Sequence, residues 1–127
     1  MEKQFDGYVG IDTLHVNGKL TLGENIADLG GLTIAYAALQ KAEAGKPKVG
    51  EIDGFTPEQR FFLAWAQIWR ANYRPEELRR RLNIDVHSLS EFRVNGPLVN
   101  MPEFQEAYGV KDGDPMYRSE KARVKIW

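Results

Sequence analysis

Apolar side chains recur at helical spacing from Thr21 to about Ala44, which predicts a long helix over this stretch. Ile26 and Leu29 begin the apolar series. Gly30 and Gly31 interrupt it, and a glycine inside a helix costs about 1 kcal/mol relative to alanine. We therefore expect another segment to approach the helix closely at the two glycines.

Three residues signal the start of a second helix. Thr56 is a suitable N-cap, Pro57 suits the first helical position, and Gln59 can complete a capping box. The apolar positions that follow are Phe61, Phe62, Trp65, Ile68, Trp69 and Tyr73. Pro75 ends this helix and begins another, whose acids come first and whose arginines come last, an order that complements the helix dipole.

The segment before the long helix alternates weakly between apolar and polar residues. Asn17-Gly18 lies between Leu14–Val16 and Lys19-Leu20, and Asn-Gly between extended segments favours a tight turn. We therefore expect a short hairpin or extended arm over Tyr8–Thr21. The predicted fold is mainly α, with this N-terminal hairpin as its β element.

The C-terminal third has weaker signals. Asn83–Val99 is predicted to be irregular or extended, with a turn at Gly96-Pro97. A short helix begins after Asn100 and is capped by Gly109. The apolar end, Val124–Trp127, predicts a docked tail.

The bulk composition excludes several classes of protein. The chain has 127 residues, 43% of them hydrophobic and 28% charged, so it forms one globular domain or a fragment of one. A net charge of −1 gives no electrostatic case for nucleic acid, and Arg79–Arg81 is interpreted as a solvated helix end. The absence of cysteine excludes disulfides and thiolate metal sites. No apolar run reaches transmembrane length, so no membrane segment is predicted in this chain.

Glu24 and Asp28 are the first candidates for chemistry. They lie one helical turn apart, so both carboxylates share a face with the small residues Gly31 and Ala35. Like charges at this spacing repel, and a metal, a histidine or a basic partner would remove that cost. The alternative is structural, because Thr21 and Glu24 also match a capping box.

His87 and Arg93 are the second candidates, since both fall in the stretch predicted to be irregular. A histidine can donate a hydrogen bond to a developing oxyanion, and an arginine can clamp a carbonyl or a carboxylate. On composition alone, the stronger interpretation is that both are ordinary loop residues without a catalytic role. His15 is interpreted as a hairpin side chain, and two histidines without cysteine cannot complete a zinc-ligand pattern.

The stretch Val16–Leu32 contains Gly-Glu-Asn-Ile-Ala-Asp followed by Gly-Gly. It closely resembles the third metal-ligand motif of the neprilysin family, which includes endothelin-converting enzymes and bacterial oligopeptidases. The resemblance continues along essentially the whole chain, in Phe61-Phe62, Ala66–Trp69, Tyr73–Glu76, Asp85–Ser88, Phe92–Val94, Gly96, Asn100, Glu103-Phe104 and Val124–Trp127.

The resemblance implies a role for each candidate residue. Glu24 matches the glutamate that completes the zinc site, and Asp28 matches the acid that orients a zinc-binding histidine. His87 matches the histidine that stabilises the tetrahedral intermediate. Arg93 matches the arginine that binds the substrate backbone beyond the cut bond. Ile68 and Trp69 match residues that line the apolar pocket for the side chain after that bond.

The resemblance also implies that part of the enzyme lies elsewhere. The family's HExxH motif, which supplies two zinc ligands and the catalytic base, lies upstream of the segment present here and is absent from this chain. Residues 1–127 are therefore expected to be the C-terminal, helical part of a gluzincin-type catalytic domain, inactive alone and without stoichiometric zinc. Arg70, Val110 and Val124 stand where animal members carry cysteines, which implies a bacterial-type member.

Two further expectations concern partners. The parent is expected to cleave peptides, with a large apolar residue after the cut, and to be exported from the cytoplasm. The isolated fragment should expose the face that met its missing half and self-associate through it. The alternative function is a stand-alone helical module that binds peptides through His87, Arg93 and Trp69 without catalysis.

Overall fold

The computed structural model describes residues 1–47 and 49–126. The predicted mainly α fold with a short N-terminal hairpin is confirmed. The elements are α1 (Glu2–Asp6), β1 (Val9–Ile11), β2 (Leu14–His15), α2 (Leu22–Glu43), α3 (Pro57–Ile68), α4 (Pro75–Ile84), α5 (Ser90–Leu98), α6 (Pro102–Tyr108) and a 3-10 turn at Glu120–Ala122. The two strands pair antiparallel, with Val9 opposite His15 and Ile11 opposite Leu14.

The hairpin turns at a different place from the one predicted. Asp12 and Thr13 form the connection between the strands, and Asp12 takes a left-handed conformation with φ 52°. Asn17 instead leads the chain into α2, because its side-chain Oδ1 accepts a hydrogen bond from the Leu20 N–H at 2.9 Å. Gly18 follows it at a point where a Cβ would collide with the carbonyl oxygen of Glu2.

The start of α3 is confirmed. The hydroxyl of Thr56 accepts from the Gln59 N–H at 3.2 Å, and the Gln59 side chain accepts from the Thr56 N–H at 3.0 Å. The helix ends at Ile68, earlier than the apolar pattern up to Tyr73 predicted. A link without regular secondary structure, residues 70–74, then leads to Pro75, where α4 begins as expected.

The prediction of irregular structure over Asn83–Val99 is wrong for its second half, which forms α5 and carries Arg93 on a helix. Pro97 lies inside this helix and lacks the N–H that would bond the Arg93 carbonyl. The indole N–H of Trp65 donates to that carbonyl instead, at 3.1 Å. A donor from another helix therefore replaces the missing backbone bond.

Gly96 is also explained by packing. A Cβ at this position would collide with the ring of Phe5, which is fully buried. Phe5 belongs to α1, a five-residue helix that the sequence patterns did not predict. The Gly96-Pro97 pair is therefore fixed by contacts distant in sequence, and the turn predicted there is wrong.

Two apolar clusters hold the elements together. Helix α2 packs on α5 and α3 packs on α6, while α4 covers the hairpin and α1 rests on α5. The larger cluster contains Leu29, Leu32, Phe62, Leu98, Met101 and Phe104, and the smaller one Phe5, Val16, Leu89 and Phe92. The tail docks as predicted up to Ile126, with the Val124 N–H donating to Asn100 Oδ1 at 2.9 Å. Trp127 lies outside the described residues.

Candidate functional site

Glu24 lies in the first turn of α2 with a partly accessible carboxylate, 40% exposed. Its Oε2 lies 3.3 Å from His87 Nε2 and 3.6 Å from Arg93 Nη2. The capping-box interpretation of Glu24 is wrong, because the Thr21 side chain caps no backbone N–H. The Thr21 hydroxyl donates to the Asn17 carbonyl instead.

Asp28 is buried one turn further along α2. Both of its oxygens accept from Arg93, from Nε and from Nη2, each at 2.7 Å. Such a bidentate pair is among the strong hydrogen-bonding arrangements in proteins, since both partners are charged and the geometry is fixed. The guanidinium also stacks on the Trp69 ring, with Cζ 3.9 Å from the ring centroid. Arg93 is therefore held on two sides.

His87 lies in the loop between α4 and α5, as the sequence predicted. Asp85 Oδ1 accepts two hydrogen bonds from His87. One comes from the backbone N–H at 3.0 Å and the other from ring Nδ1 at 2.8 Å. Arg81 Nη1 donates to the other oxygen of Asp85 at 2.9 Å. Burial opposes ionisation of Asp85, but the bonds from His87 and the charge of Arg81 hold its pKa below the ordinary value.

Asp85 was not among the candidates predicted from the sequence. The available signal was an acid two residues before a histidine in a predicted loop. An aspartate can accept a hydrogen bond from a backbone N–H two residues ahead, in an Asx turn. That local turn brings the imidazole within reach of the same carboxylate.

The four polar candidates thus lie together, whereas only one of the two apolar candidates contacts them. Trp69 caps α3 and joins the group by stacking on Arg93. Ile68 is 71% exposed, and within residues 1–47 and 49–126 it makes no hydrogen bond or ring contact with the other candidates.

The remaining histidine and the arginine run lie outside this group. His15 Nδ1 lies 2.8 Å from the Asp6 carbonyl oxygen, within the N-terminal segment. Each arginine of Arg79–Arg81 pairs with a carboxylate, Asp12, Glu77 or Asp85.

Zinc sites use at least three protein ligands. The described ranges contain no group of three or more histidine, cysteine, aspartate or glutamate side chains placed to hold a metal ion. Glu24 fits one oxygen ligand, because its carboxylate is accessible and lies in the first turn of a 22-residue helix. The described residues therefore fit part of a zinc site and not a complete one.

Comparison with known proteins gives a consistent result. Residues 1–124 match the model of peptidase family M13. The chain is 44% identical over 115 residues to human membrane metallo-endopeptidase-like 1, covering 89% of this chain and 15% of that protein. It is 42% identical over 123 residues to the neutral endopeptidase of Lactococcus lactis, covering 97% of this chain and 18% of that protein.

Two solved structures share the fold. The inhibitor complex of the zinc metalloprotease Zmp1 from Mycobacterium tuberculosis superposes with a TM-score of 0.93 at 43% identity, over 98% of this chain and 20% of that chain. PepO from Lactobacillus rhamnosus superposes with a TM-score of 0.81 at 35% identity, over all of this chain and 18% of that chain. The present chain therefore spans less than a fifth of the length of the curated relatives named above. None of its described helices is long and apolar enough to cross a membrane.

Proposed function

The chain belongs to peptidase family M13, and from this membership we propose that residues 1–127 form the C-terminal part of the catalytic domain of a zinc metalloendopeptidase. The observation that carries the proposal is the meeting of Glu24 and Asp28 on α2 with His87 and Arg93. These two pairs are about sixty residues apart in sequence. An accessible carboxylate beside an imidazole and a guanidinium is suited to hydrolysis of a peptide bond.

Glu24 supplies one zinc ligand, and two histidines of an HExxH helix in the missing N-terminal part supply the others. Zinc, when bound, polarises the scissile carbonyl and lowers the pKa of its water. Asp28 orients one of those histidines. Its two oxygens each accept one bond from Arg93, and a carboxylate has about four acceptor sites, so capacity for an imidazole N–H remains.

His87 stabilises the oxyanion of the tetrahedral intermediate. Asp85 Oδ1 accepts a hydrogen bond from His87 Nδ1, so that ring nitrogen carries a proton. Nε2 then carries a proton only when the ring is positively charged, and in that form it can donate to an oxyanion. Because Nε2 lies 3.3 Å from Glu24, this donor is adjacent to the zinc ligand.

Arg93 binds the substrate carbonyl beyond the cut bond. A guanidinium has five N–H donors, of which Asp28 uses two, so three remain for substrate. Trp69 stacks on one face and limits rotation of the group. Trp69 and the exposed Ile68 line the apolar pocket for the side chain after the cut, and peptides with a large apolar residue there are the substrates.

The isolated chain is inactive and binds no stoichiometric zinc, because it carries one ligand and no HExxH base. The parent is exported. The outward face of α2 exposes Ile26 and Ile34, 37% and 59% respectively, beside Gly31. In the parent the missing part covers this face, and in the isolated chain a second copy does. Light scattering should therefore show dimers or larger species that dissociate in the variant Ile34→Ser.

The decisive experiment changes Glu24 in the full-length peptidase. Glu24→Gln should lower zinc content, measured by mass spectrometry, and abolish cleavage of a fluorogenic peptide. The matched control is Glu43→Gln, at the other end of the same helix and about 28 Å away at 1.5 Å per residue, which should change neither. Unchanged zinc and activity in Glu24→Gln would contradict the proposal. A natural product of this length that binds peptides without metal would establish the alternative, a stand-alone binding module.

A further inference from the structure

A chain of buried hydrogen bonds runs beside the Glu24–His87 contact. The Ser88 hydroxyl donates to Asn25 Oδ1 at 2.8 Å, and Asn25 Nδ2 donates to the Thr21 hydroxyl at 2.9 Å. The exposed fractions of Asn25, Thr21 and Ser88 are 1%, 3% and 6%. Nothing in the roles assigned above uses these three side chains.

Two of these hydrogen-bonded side chains are direct sequence neighbours of proposed site residues. Asn25 follows Glu24 directly, and Ser88 follows His87 directly. The Ser88–Asn25 bond therefore joins the turn that carries the proposed zinc ligand to the loop that carries the proposed oxyanion donor.

Asp85 alone cannot fix the position of His87 relative to Glu24. It orients the imidazole ring, but it belongs to the same loop as His87 and is tied to α4 through Arg81. A shift of the loop relative to α2 would move Asp85 and His87 together. Among the hydrogen bonds of the described residues, Ser88 provides the one that fixes the loop backbone beside His87 to α2.

We propose that Asn25 and Ser88 are positioning residues that hold His87 opposite Glu24, so that the imidazole can reach the oxyanion of the tetrahedral intermediate. This inference rests on the proposed function. The hydroxyl–amide bond is short and shielded from water, so it fixes a distance that the exposed His87 side chain cannot fix alone. Loss of the bond lets the loop move by a fraction of an ångström and misplaces the donor.

The test is a double-mutant cycle in the full-length, zinc-loaded peptidase. Ser88→Ala should lower kcat by about 10- to 100-fold, as expected for a misplaced catalytic group, with little change in KM or zinc content. His87→Ala should lower kcat by about 100- to 1000-fold. In the His87→Ala background, Ser88→Ala should change kcat by less than about 2-fold, because its effect passes through the imidazole.

Two further variants separate positioning from folding. Ser88→Cys keeps a similar volume and a weak donor, so its kcat should fall between those of the wild type and Ser88→Ala. Ser90→Ala is the matched control, since its hydroxyl makes no hydrogen bond in the described part of the chain and kcat should not change.

Each outcome decides between the two proposals. Equal losses from Ser88→Ala with and without His87, or no loss at all, would overturn the positioning role and leave the proposed function intact. An unchanged kcat in His87→Ala would overturn both the role of His87 and the positioning role. A fall in zinc content or melting temperature that accounts for the whole loss in Ser88→Ala would show a structural role and overturn the inference.

Discussion

The α2–α5 contact and the α3–α6 contact differ in the chemistry of the side chains that form them. Asn25–Ser88 and Asp28–Arg93 join α2 to α5 and the loop before it through polar groups. The core of the α3–α6 contact is aromatic, with Phe62 packed edge-on against Phe104 at 5.5 Å between ring centroids. At its edge, Gln59 Nε2 donates to the Ala107 carbonyl and the Tyr108 hydroxyl donates to the Gln59 carbonyl. Apolar burial stabilises without fixing direction, whereas short polar bonds fix positions. The four polar site candidates belong to the α2–α5 contact, and most of the stability should come from the α3–α6 contact.

The largest expected effect is in the aromatic contact. Phe62 is 1% exposed and also stacks on Tyr36, so Phe62→Ala should lower the free energy of unfolding by about 3–5 kcal/mol. Leu63, on the same helix and 39% exposed, is the matched control, and Leu63→Ala should cost less than about 1 kcal/mol. Urea denaturation followed by circular dichroism measures both. Equal losses would show that the aromatic cluster is not the main source of stability.

The Asp28–Arg93 pair should come next. Asp28 and Arg93 have side chains 6% and 12% exposed, so removing either one leaves a largely buried charge without its partner. Arg93→Ala or Asp28→Ala should each cost about 3 kcal/mol, and the double variant should cost much less than their sum. Additive losses in the same denaturation assay would mean that the two charges are not coupled.

The bond that replaces the missing helical donor of Pro97 gives a smaller effect. Trp65→Phe removes the indole N–H and leaves the Arg93 carbonyl without a donor, at a cost of about 1–2 kcal/mol. Adding Pro97→Ala restores a backbone N–H at the correct position and should recover part of that loss. Absence of any recovery would show that Trp65 acts through packing alone.

Local signals in the sequence were sufficient where one segment determines its own structure. The capping box at Thr56 and Gln59, the start of α4 at Pro75 and the left-handed cap at Gly109, with φ 62°, are all formed from neighbours in sequence. The length of α2 also followed from its apolar period, because its boundaries Leu22 and Glu43 lie close to those predicted.

The failure at α5 came from partners distant in sequence. Gly96 and Pro97 indicate a turn locally, yet the ring of Phe5 and the indole of Trp65 allow a helix there. For the site, the grouping of Glu24 and Asp28 followed from helical spacing. Their meeting with His87 and Arg93 depends on the packing of α2 on α5, which no local pattern specifies. The roles came from family resemblance and remain proposals.

A substitution on the outward face of α2 should increase the free energy of unfolding instead of lowering it. A Cβ at Gly31 would meet nothing within 4 Å, so close approach by another segment is not seen there in the described part of the chain. Gly31→Ala should therefore raise the free energy of unfolding of the monomeric chain by about 0.5–1 kcal/mol. Gly96→Ala is the contrasting variant and should destabilise, because of the collision with Phe5. If the missing part of the parent packs on Gly31, the same Gly31→Ala change should lower activity in the full-length enzyme, and unchanged activity there would contradict such packing.

The smallest effect is expected from the exposed ion pairs of α4. The hydrogen bond from Arg80, aided by Arg81, lowers the pKa of Glu77 from 4.5 to about 2. A carboxyl whose pKa is lowered on folding stabilises the protein above its unfolded pKa, and this contribution is lost as the pH falls through the folded value. The contribution of Glu77 should therefore be constant above about pH 5 and decline between pH 4.5 and about 2. In Glu77→Gln, unfolding free energies measured across this window should fall less steeply with acid than in the wild type.

Because the pair is exposed, 0.5 M salt should reduce the difference between the two proteins. Parallel curves for the two proteins would show that the pairs of Glu77 with Arg80 and Arg81 contribute nothing to the dependence of stability on acid.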